Sequence, residues 1–274
     1  MLGAIIGDIA GSRFEWNNIK SKEFDFFHPM CRVTDDSVMS LAVAKAILRS
    51  GGNLVNLDVY TVECMQELGR RYSRAGYGGR FRKWLQEENP QPYKSYGNGS
   101  AMRVSACGYA ANSLEEAIAL SNAVTAVTHN HPEGLKGAQA VAAAVYLART
   151  GNSMKKIQEY INDHYYVIDF KLDDIRAAYT FDVTCQGSVP QAFAAFFESS
   201  NFEDAIRNAI SIGGDSDTIA AIAGSIAEAY YGIPAELRAQ AQPFIGTTLM
   251  QILIAFEEKY PSKEDPSKQF PDVF

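Results

Sequence analysis

Residues 213–218 read Gly-Gly-Asp-Ser-Asp-Thr and run directly into the small apolar sequence Ile-Ala-Ala-Ile-Ala-Gly at 219–224. This apolar run predicts a buried helix that ends near Gly232, with Pro234 beyond it. The polar residues therefore lie at a helix amino terminus, where a single Asp or Ser is enough for capping. Two Asp and a Thr exceed that need, which favours a functional cluster over a simple cap.

A second cluster of the same kind stands at 34–37, where Thr-Asp-Asp-Ser precedes an apolar helical run that ends at Gly51-Gly52. Adjacent carboxylates repel one another, and their burial is costly unless a cation compensates their charge. Two such clusters in one chain predict a shared cation site where the two helix ends meet. Because the donors are all oxygens, they favour Mg²⁺ or Mn²⁺ over zinc.

Helical periodicity dominates the rest of the chain, and we predict an all-α fold, a single domain of many helices over 1–274. Glycines at 3, 7 and 11 form one face of a first helix, which lets another helix approach closely. Glu15 would lie two turns beyond Asp8, on the same helical face as Asp8. A short strand is expected at 167–172, and a loose tail at 261–274.

Composition narrows the class of protein. The chain has 274 residues, a net charge of −7 and 47% hydrophobic residues, as is usual for a globular protein. This acidity offers no basic footprint for a nucleic acid. The four cysteines are widely spaced without a C-x-x-C pair, which argues against a structural zinc site and disulfides. With neither a signal peptide nor a run long enough to span a bilayer, we expect a cytoplasmic monomer.

The segment 70–84 is basic and aromatic, with six cations, four aromatic rings and three glycines. We predict a loop or mobile flap over the ligand, in which Tyr77 or Phe81 stacks on an aromatic base and an Arg pairs with phosphate. A solvated basic face is the alternative interpretation.

Two shorter motifs are less specific. Gly-Asn-Gly-Ser at 97–100 is typical of a turn whose backbone N–H groups suit a phosphate, although such turns are also common without one. His129 and His131 stand before Pro132, so they are candidates either for metal binding or for capping a helix end, and we favour capping.

Five motifs taken together, in this order, resemble the ADP-ribosylglycohydrolase family, which includes the dinitrogenase-reductase-activating glycohydrolase. They are Gly-Asp-Ile-Ala-Gly-Ser-Arg-Phe-Glu at 7–15, Thr-Asp-Asp-Ser at 34–37, Gly-Asn-Gly-Ser-Ala-Met-Arg at 97–103, Thr-His at 128–129 and the cluster at 213–218. The resemblance spans about residues 3–232. One departure is Ser37, where the family often has Thr.

The resemblance implies a compact all-helical domain with two bound Mg²⁺ or Mn²⁺ ions. By motif position, the metal ligands would be Thr34, Asp35, Asp36, Asp215, Asp217 and Thr218. The substrate-binding residues would be Gly97, Asn98, Gly99, Ser100, Met102 and His129, beside the diphosphate and distal ribose. Asp36 and Glu15 are the two candidates for the general base that activates water, as in other sugar hydrolases.

The resemblance also implies the reaction, which is hydrolysis of the bond between ADP-ribose and a protein side chain. Family membership favours an arginine N-glycoside, with O-linked substrates as the alternative: ADP-ribosyl-serine, O-acetyl-ADP-ribose or the polymer. A different alternative is an inactive member that only binds ADP-ribose or serves a structural role. The intact set of six predicted ligands argues against this, because loss of activity should first alter the ligands.

Overall fold

The computed structural model describes residues 1–262, and every regular element in that part of the chain is helical, so the all-α prediction is confirmed. The helices are α1 (Leu2–Gly11), α2 (Asp35–Ser50), α3 (Leu57–Arg71), α4 (Gly79–Trp84), α5 (Ser105–Ala110), α6 (Leu114–Ala126), α7 (Pro132–Arg149), α8 (Met154–His164), α9 (Leu172–Arg176), α10 (Cys185–Phe197), α11 (Phe202–Ser211), α12 (Ser216–Tyr231), α13 (Ala235–Ala241) and α14 (Thr247–Lys259). Short 3-10 turns lie at Asn98–Ser100 and Gln242–Phe244. The predicted tail lies outside the described residues beyond position 262.

Helix α12 is the central element, and its residues from Ser216 to Ala229 are all buried. Helix α1 packs along it, while α7, α10 and α11 cover its other sides. The contact with α1 is made through glycines, since a Cβ atom added at Gly7 would lie 2.1 Å from the carbonyl oxygen of Ala220. The predicted close approach of another helix to the glycine face is therefore confirmed.

Helix α2 begins where the sequence predicted, at a cap formed by Thr34, whose side chain accepts a hydrogen bond from the Asp36 N–H. It ends at Gly51, which adopts a left-handed φ of 70° that favours glycine. Helix α2 packs on α3 and α14 and also contacts α1. This packing brings the amino ends of α2 and α12 to the same side of α1.

Two expectations about local structure are wrong. The segment 167–172 is not a strand: Leu172 begins α9, and the Ile168 N–H bonds to the side chain of Asn162 instead of a neighbouring strand. Its alternation reflects one apolar face against the core, where Ile168 is 7% exposed. The basic stretch is not one continuous loop either, because its ends belong to α3 and α4.

Within residues 1–262, none of the helices combines the length and hydropathy that crossing a bilayer requires.

Candidate active site

Asp8 connects the amino end of α2 to α1, and the sequence alone did not mark it as part of the site. Its carboxylate is fully buried and accepts hydrogen bonds from the Thr34 N–H at 2.9 Å and the Thr34 hydroxyl at 2.6 Å. It also accepts from the Ser37 N–H at 3.1 Å and from the Ser37 hydroxyl. Four donors on one carboxylate fix the first turn of α2 relative to α1.

The two polar clusters meet as predicted. The Thr218 hydroxyl, in the first turn of α12, donates to Asp36 Oδ2 at 3.2 Å across 182 positions of sequence. Asp36 and Asp217 are each only 3% exposed. Because α2 and α12 both point their amino ends here, their dipoles favour the negative charges gathered between them.

Glu15 reaches this place by a route that the sequence did not indicate. Helix α1 ends at Gly11, so Glu15 is not on the helical face of Asp8, and that prediction is wrong. Instead, Asn18 clamps the segment after α1 onto the turn before α12, since its amide bonds both the N–H and the carbonyl of Gly214, at 2.8 and 2.9 Å. Gly213 and Gly214 adopt φ of 70° and 75° in this turn, which favours glycine.

Within the described part of the chain, one carboxylate oxygen each from Glu15, Asp215 and Asp217 lie within 4.8 Å of one another. This acidic cluster could hold a metal ion. Of the predicted ligands, Asp35, Asp36 and Thr218 line the same cleft, whereas Thr34 does not. The Thr34 oxygen is engaged by Asp8 and by the Asp36 N–H.

The carboxylates disturb one another's ionisation. Burial and then repulsion by Asp8 raise the pKa of Asp35 to about 7. Burial, followed by neighbouring carboxylates, also raises the pKa of Asp36 and of Asp217 well above the ordinary value. Burial raises the pKa of Glu15, and the Asp215 charge adds to this effect. A bound cation would reverse these shifts by favouring the ionised forms.

The loop at 97–103 forms the next part of the cleft. The Asn98 amide donates to Asp215 Oδ2 at 2.7 Å, and the Asn98 N–H bonds to the carbonyl of Val183 at 2.7 Å. These contacts hold the loop against the acidic cluster. Gly97, Gly99 and Met102 also line the cleft, whereas Ser100 is buried behind it, with its hydroxyl bonded to the Gly97 carbonyl at 3.1 Å.

A cation and a neutral imidazole lie at the other end of the cleft. Arg103 is 1% exposed, and its guanidinium donates to the Thr128 hydroxyl at 2.7 Å. It also lies 3.3 Å from His129 Nδ1, which therefore acts as an acceptor and leaves the hydrogen on Nε2. Burial and then the Arg103 charge lower the pKa of His129 well below its ordinary value. His131 caps α7, as the capping interpretation expected. It does so at the amino end of the helix, where its side chain accepts a hydrogen bond from the Glu133 N–H.

The cleft that joins these groups has a volume of about 450 Å³. Its walls hold Glu15, Asp35, Asp36, Asp215, Asp217 and Thr218 at the acidic end and Arg103 and His129 at the other, with the 97–99 loop between them. Tyr77 does not line it, because its side chain is buried at 2% exposure behind Phe81, which does. Phe81 is thus the aromatic ring of the 70–84 segment that faces the cleft.

Sequence reasoning missed three contributors, namely Asp8, Asn18 and Arg103. Asp8 and Arg103 stood inside motifs that were recognised, but their burial depends on packing between distant segments. Asn18 lies in a segment without periodicity, and nothing in the sequence pairs it with Gly214. Each of the three acts through a contact to a residue that the motifs did identify.

The sequence model of the ADP-ribosylglycohydrolase family matches residues 1–265. The chain belongs to this family. The predicted family and enzyme class, a glycohydrolase, are therefore confirmed. A solved ADP-ribosylglycohydrolase-related protein complex has the same fold, with a TM-score of 0.67 at 20% identity over 94% of this chain and 95% of that one.

Named relatives differ in what their names say they act on. ADP-ribosylhydrolase ARH3 of Xenopus tropicalis is 26% identical, over 85% of this chain and 86% of its own. ADP-ribosylarginine hydrolase Tri1 of Pseudomonas putida is 27% identical, over 85% of this chain and 70% of its own. ADP-ribosyl-[dinitrogen reductase] glycohydrolase of Rhodospirillum rubrum is 28% identical, over 74% of this chain and 70% of its own.

Proposed function

We propose that this protein is a metal-dependent hydrolase that releases ADP-ribose from an ADP-ribosylated arginine side chain of a protein. The observation that carries the proposal is the cleft with two unlike ends, one of clustered carboxylates and one of a buried cation beside glycine-rich backbone. The first end suits metal-bound sugar hydroxyls, and the second suits a diphosphate.

The residues present fit divalent metal ions. Asp36 Oδ1 is buried and has no hydrogen-bond partner within residues 1–262, which is costly unless something else binds it. The donors are oxygens, so we propose two Mg²⁺ or Mn²⁺ ions, held by Asp35 and Asp36 on α2 and by Asp215, Asp217 and Thr218 at the start of α12. Such ions supply positive charge that keeps the carboxylates ionised and lowers the pKa of a bound water.

The other end of the cleft is built to receive an anion. Arg103 Nε is buried and has no hydrogen-bond partner in the described part of the chain, and the Arg103 charge is available to a diphosphate. His129 stays neutral, which leaves its Nε2–H as a donor toward the loop at 97–99, near Gly97 and Gly99. We propose that these groups and the backbone of Gly97, Asn98 and Gly99 bind the diphosphate and distal ribose.

Hydrolysis needs a base near the acidic end. Water attacks C1″ of the ribose as the bond to the leaving nitrogen breaks, and the proton lost by water is returned to that nitrogen. We assign the base to Glu15 before Asp36, because the Glu15 carboxylate is half-buried and can exchange its proton with solvent, whereas Asp36 is 3% exposed.

The arginine linkage is supported by one named relative. The Pseudomonas putida protein is named for ADP-ribosylarginine, whereas the name of the Rhodospirillum rubrum protein gives its target, dinitrogen reductase, without the linkage. Release of ADP-ribose from matched arginine-linked and serine-linked peptides tests the proposal. We expect the arginine-linked peptide to be cleaved faster in Mg²⁺ or Mn²⁺ and neither peptide to be cleaved after exhaustive chelation.

Other outcomes would contradict parts of the proposal separately. Full activity after chelation removes the metal role, and faster cleavage of the serine-linked peptide replaces the linkage. Binding of ADP-ribose without any turnover, measured by calorimetry in the presence of metal, would instead support an inactive binding protein.

A further inference from the structure

The lining of the cleft includes two unlike groups of residues. One group is the glycines at 76, 78 and 79, followed by Arg80 and Phe81. The other group is three exposed apolar side chains, Trp16, Phe181 and Val183. We call these three residues the aromatic wall.

Trp16 is the outermost part of the aromatic wall, with 77% of its surface exposed. Its ring stacks on Phe181, with centroids 4.9 Å apart and planes 25° apart. The indole is thus held by one face against Phe181, and its large exposed surface is free to receive a ligand.

We infer that the aromatic wall is the subsite for the leaving group, and that Trp16 stacks on the guanidinium of an ADP-ribosylated arginine. This inference rests on the proposed function. It assigns to Trp16 the choice between arginine and serine substrates, a role distinct from holding ADP-ribose.

The path of the substrate supports this assignment. The side chain that leaves is attached to a protein, so it must extend from the acidic cluster to solvent. Trp16 directly follows Glu15, a member of that cluster, and it also lies at the mouth of the cleft. A planar cation gains a cation–π interaction over an indole, whereas a serine oxygen carries neither the charge nor the plane.

The lining also contains a cation, Arg80, whose guanidinium is already engaged. Arg80 lies over the Tyr93 ring, with its Cζ 4.8 Å from the ring centroid, and donates to the Tyr93 carbonyl at 3.0 Å. These contacts hold its charge on the Tyr93 side of the cleft. The charged residues next to the aromatic wall in the sequence are both carboxylates, Glu15 before Trp16 and Asp182 between Phe181 and Val183.

Two substitutions at one position separate stacking from apolar contact. Trp16→Phe keeps an aromatic face, and Trp16→Leu keeps apolar surface without one. We expect Trp16→Leu to lower kcat/KM for the arginine-linked peptide by about fivefold or more, the size of a cation–π contact, and Trp16→Phe to keep most of the activity. For the serine-linked peptide and for the Kd of free ADP-ribose, both variants should stay within about twofold of the wild type.

A third variant controls for the loss of exposed apolar surface in general. Val55 is 71% exposed and does not line the cleft, so Val55→Ala should leave both peptides unaffected. Phe181→Leu provides a second test of the wall and should lower activity on the arginine-linked peptide in the same direction as Trp16→Leu.

Five results would overturn the inference. Equal losses on both peptides, or a weaker Kd for free ADP-ribose, would place Trp16 against ADP-ribose instead of the leaving group. Unchanged kinetics would remove it from the site. A wild-type protein that cleaves only the serine-linked peptide would contradict the binding of a guanidinium leaving group. A wild-type protein that cleaves neither peptide would contradict the proposed function as well, so the two failures can be told apart.

Discussion

At the scale of single residues, the charge of Asp36 has two effects that substitution can test: it serves the proposed metal site, and it opposes folding when no metal is bound. Its negative charge is repelled by its neighbours when no cation is present, and burial followed by Asp8 and Asp35 raises its pKa. Asp36→Asn removes that charge with little change of volume. We expect kcat/KM to fall by about 100-fold or more while the fold is retained, because the charge is needed to hold metal.

The melting temperature provides the second measurement for this variant. Metal-free Asp36→Asn should melt higher than the metal-free wild type, because a repelled buried charge is gone. It should gain less on addition of Mg²⁺. Asp58→Asn is the matched control, since Asp58 also lies in the first turn of a helix but is exposed. Similar rates for Asp36→Asn and wild type would contradict the assignment of Asp36 to the metal site.

A residue of the site could be predicted from the sequence when its position depends on neighbouring residues in the chain, and not when it depends on distant ones. Asp215 and Asp217 were identifiable because their number exceeded what a cap needs. Arg103 was not, because its place is defined by Thr128 and His129, 25 and 26 positions away. The prediction that Tyr77 faces the ligand failed for the same reason. Its basic and glycine-rich surroundings predict exposure, but its ring packs beneath Phe81.

At the scale of elements, the contact between α1 and α12 depends on the absence of side chains. At Gly7, an added Cβ would meet the carbonyl oxygen and carbon of Ala220 at 2.1 and 2.4 Å, and these backbone atoms cannot rotate away. Gly7→Ala should therefore separate the helices and lower stability by about 2 kcal/mol or more. Chemical denaturation measures this change.

Gly79→Ala is the control for the effect of the mutation itself. A Cβ at Gly79 would meet nothing within 4 Å, and the residue begins α4, so stability should stay the same or rise slightly. Equal stability of Gly7→Ala and wild type would show that α1 can move outward at little cost. Because α1 carries Asp8, a displaced α1 should also weaken Mg²⁺ binding.

Helices were predictable where spacing alone decided them. Glycines every four residues predicted the face that α12 contacts. The end of α1 at Gly11 was not predictable, because the Asn18 clamp that holds the following segment depends on Gly214, 196 positions away. The prediction of a strand at 167–172 was wrong because alternating apolar and polar residues also occur in an extended segment that packs on helices.

At the scale of the whole molecule, the carboxylates that define the site also oppose the folded state. Six of them lie in or beneath one cleft, contributed by α1, the segment after it, α2 and the start of α12. Ions that bind only the folded protein would stabilise it by mass action, by about 2.7 kcal/mol at 100 times the Kd. Saturation with Mg²⁺ should therefore raise the melting temperature by about 5 °C in a chain of this size.

Stabilisation by metal ions should depend on pH, and the raised pKa values of the buried carboxyl groups determine its direction. A carboxyl group whose pKa is raised by folding stabilises the folded protein when the pH is below the pKa of the unfolded state. This stabilisation is lost as the pH rises through the pKa of the folded state, which is about 7 for Asp35. The metal-free protein should thus become less stable between about pH 4 and 7. Metal binding displaces protons, so it tightens over the same range and the gap between loaded and metal-free protein widens. Melting curves at constant ionic strength, with Na⁺ replacing Mg²⁺ as the control, measure that gap, and a gap that narrows as pH rises would contradict the shared cation site.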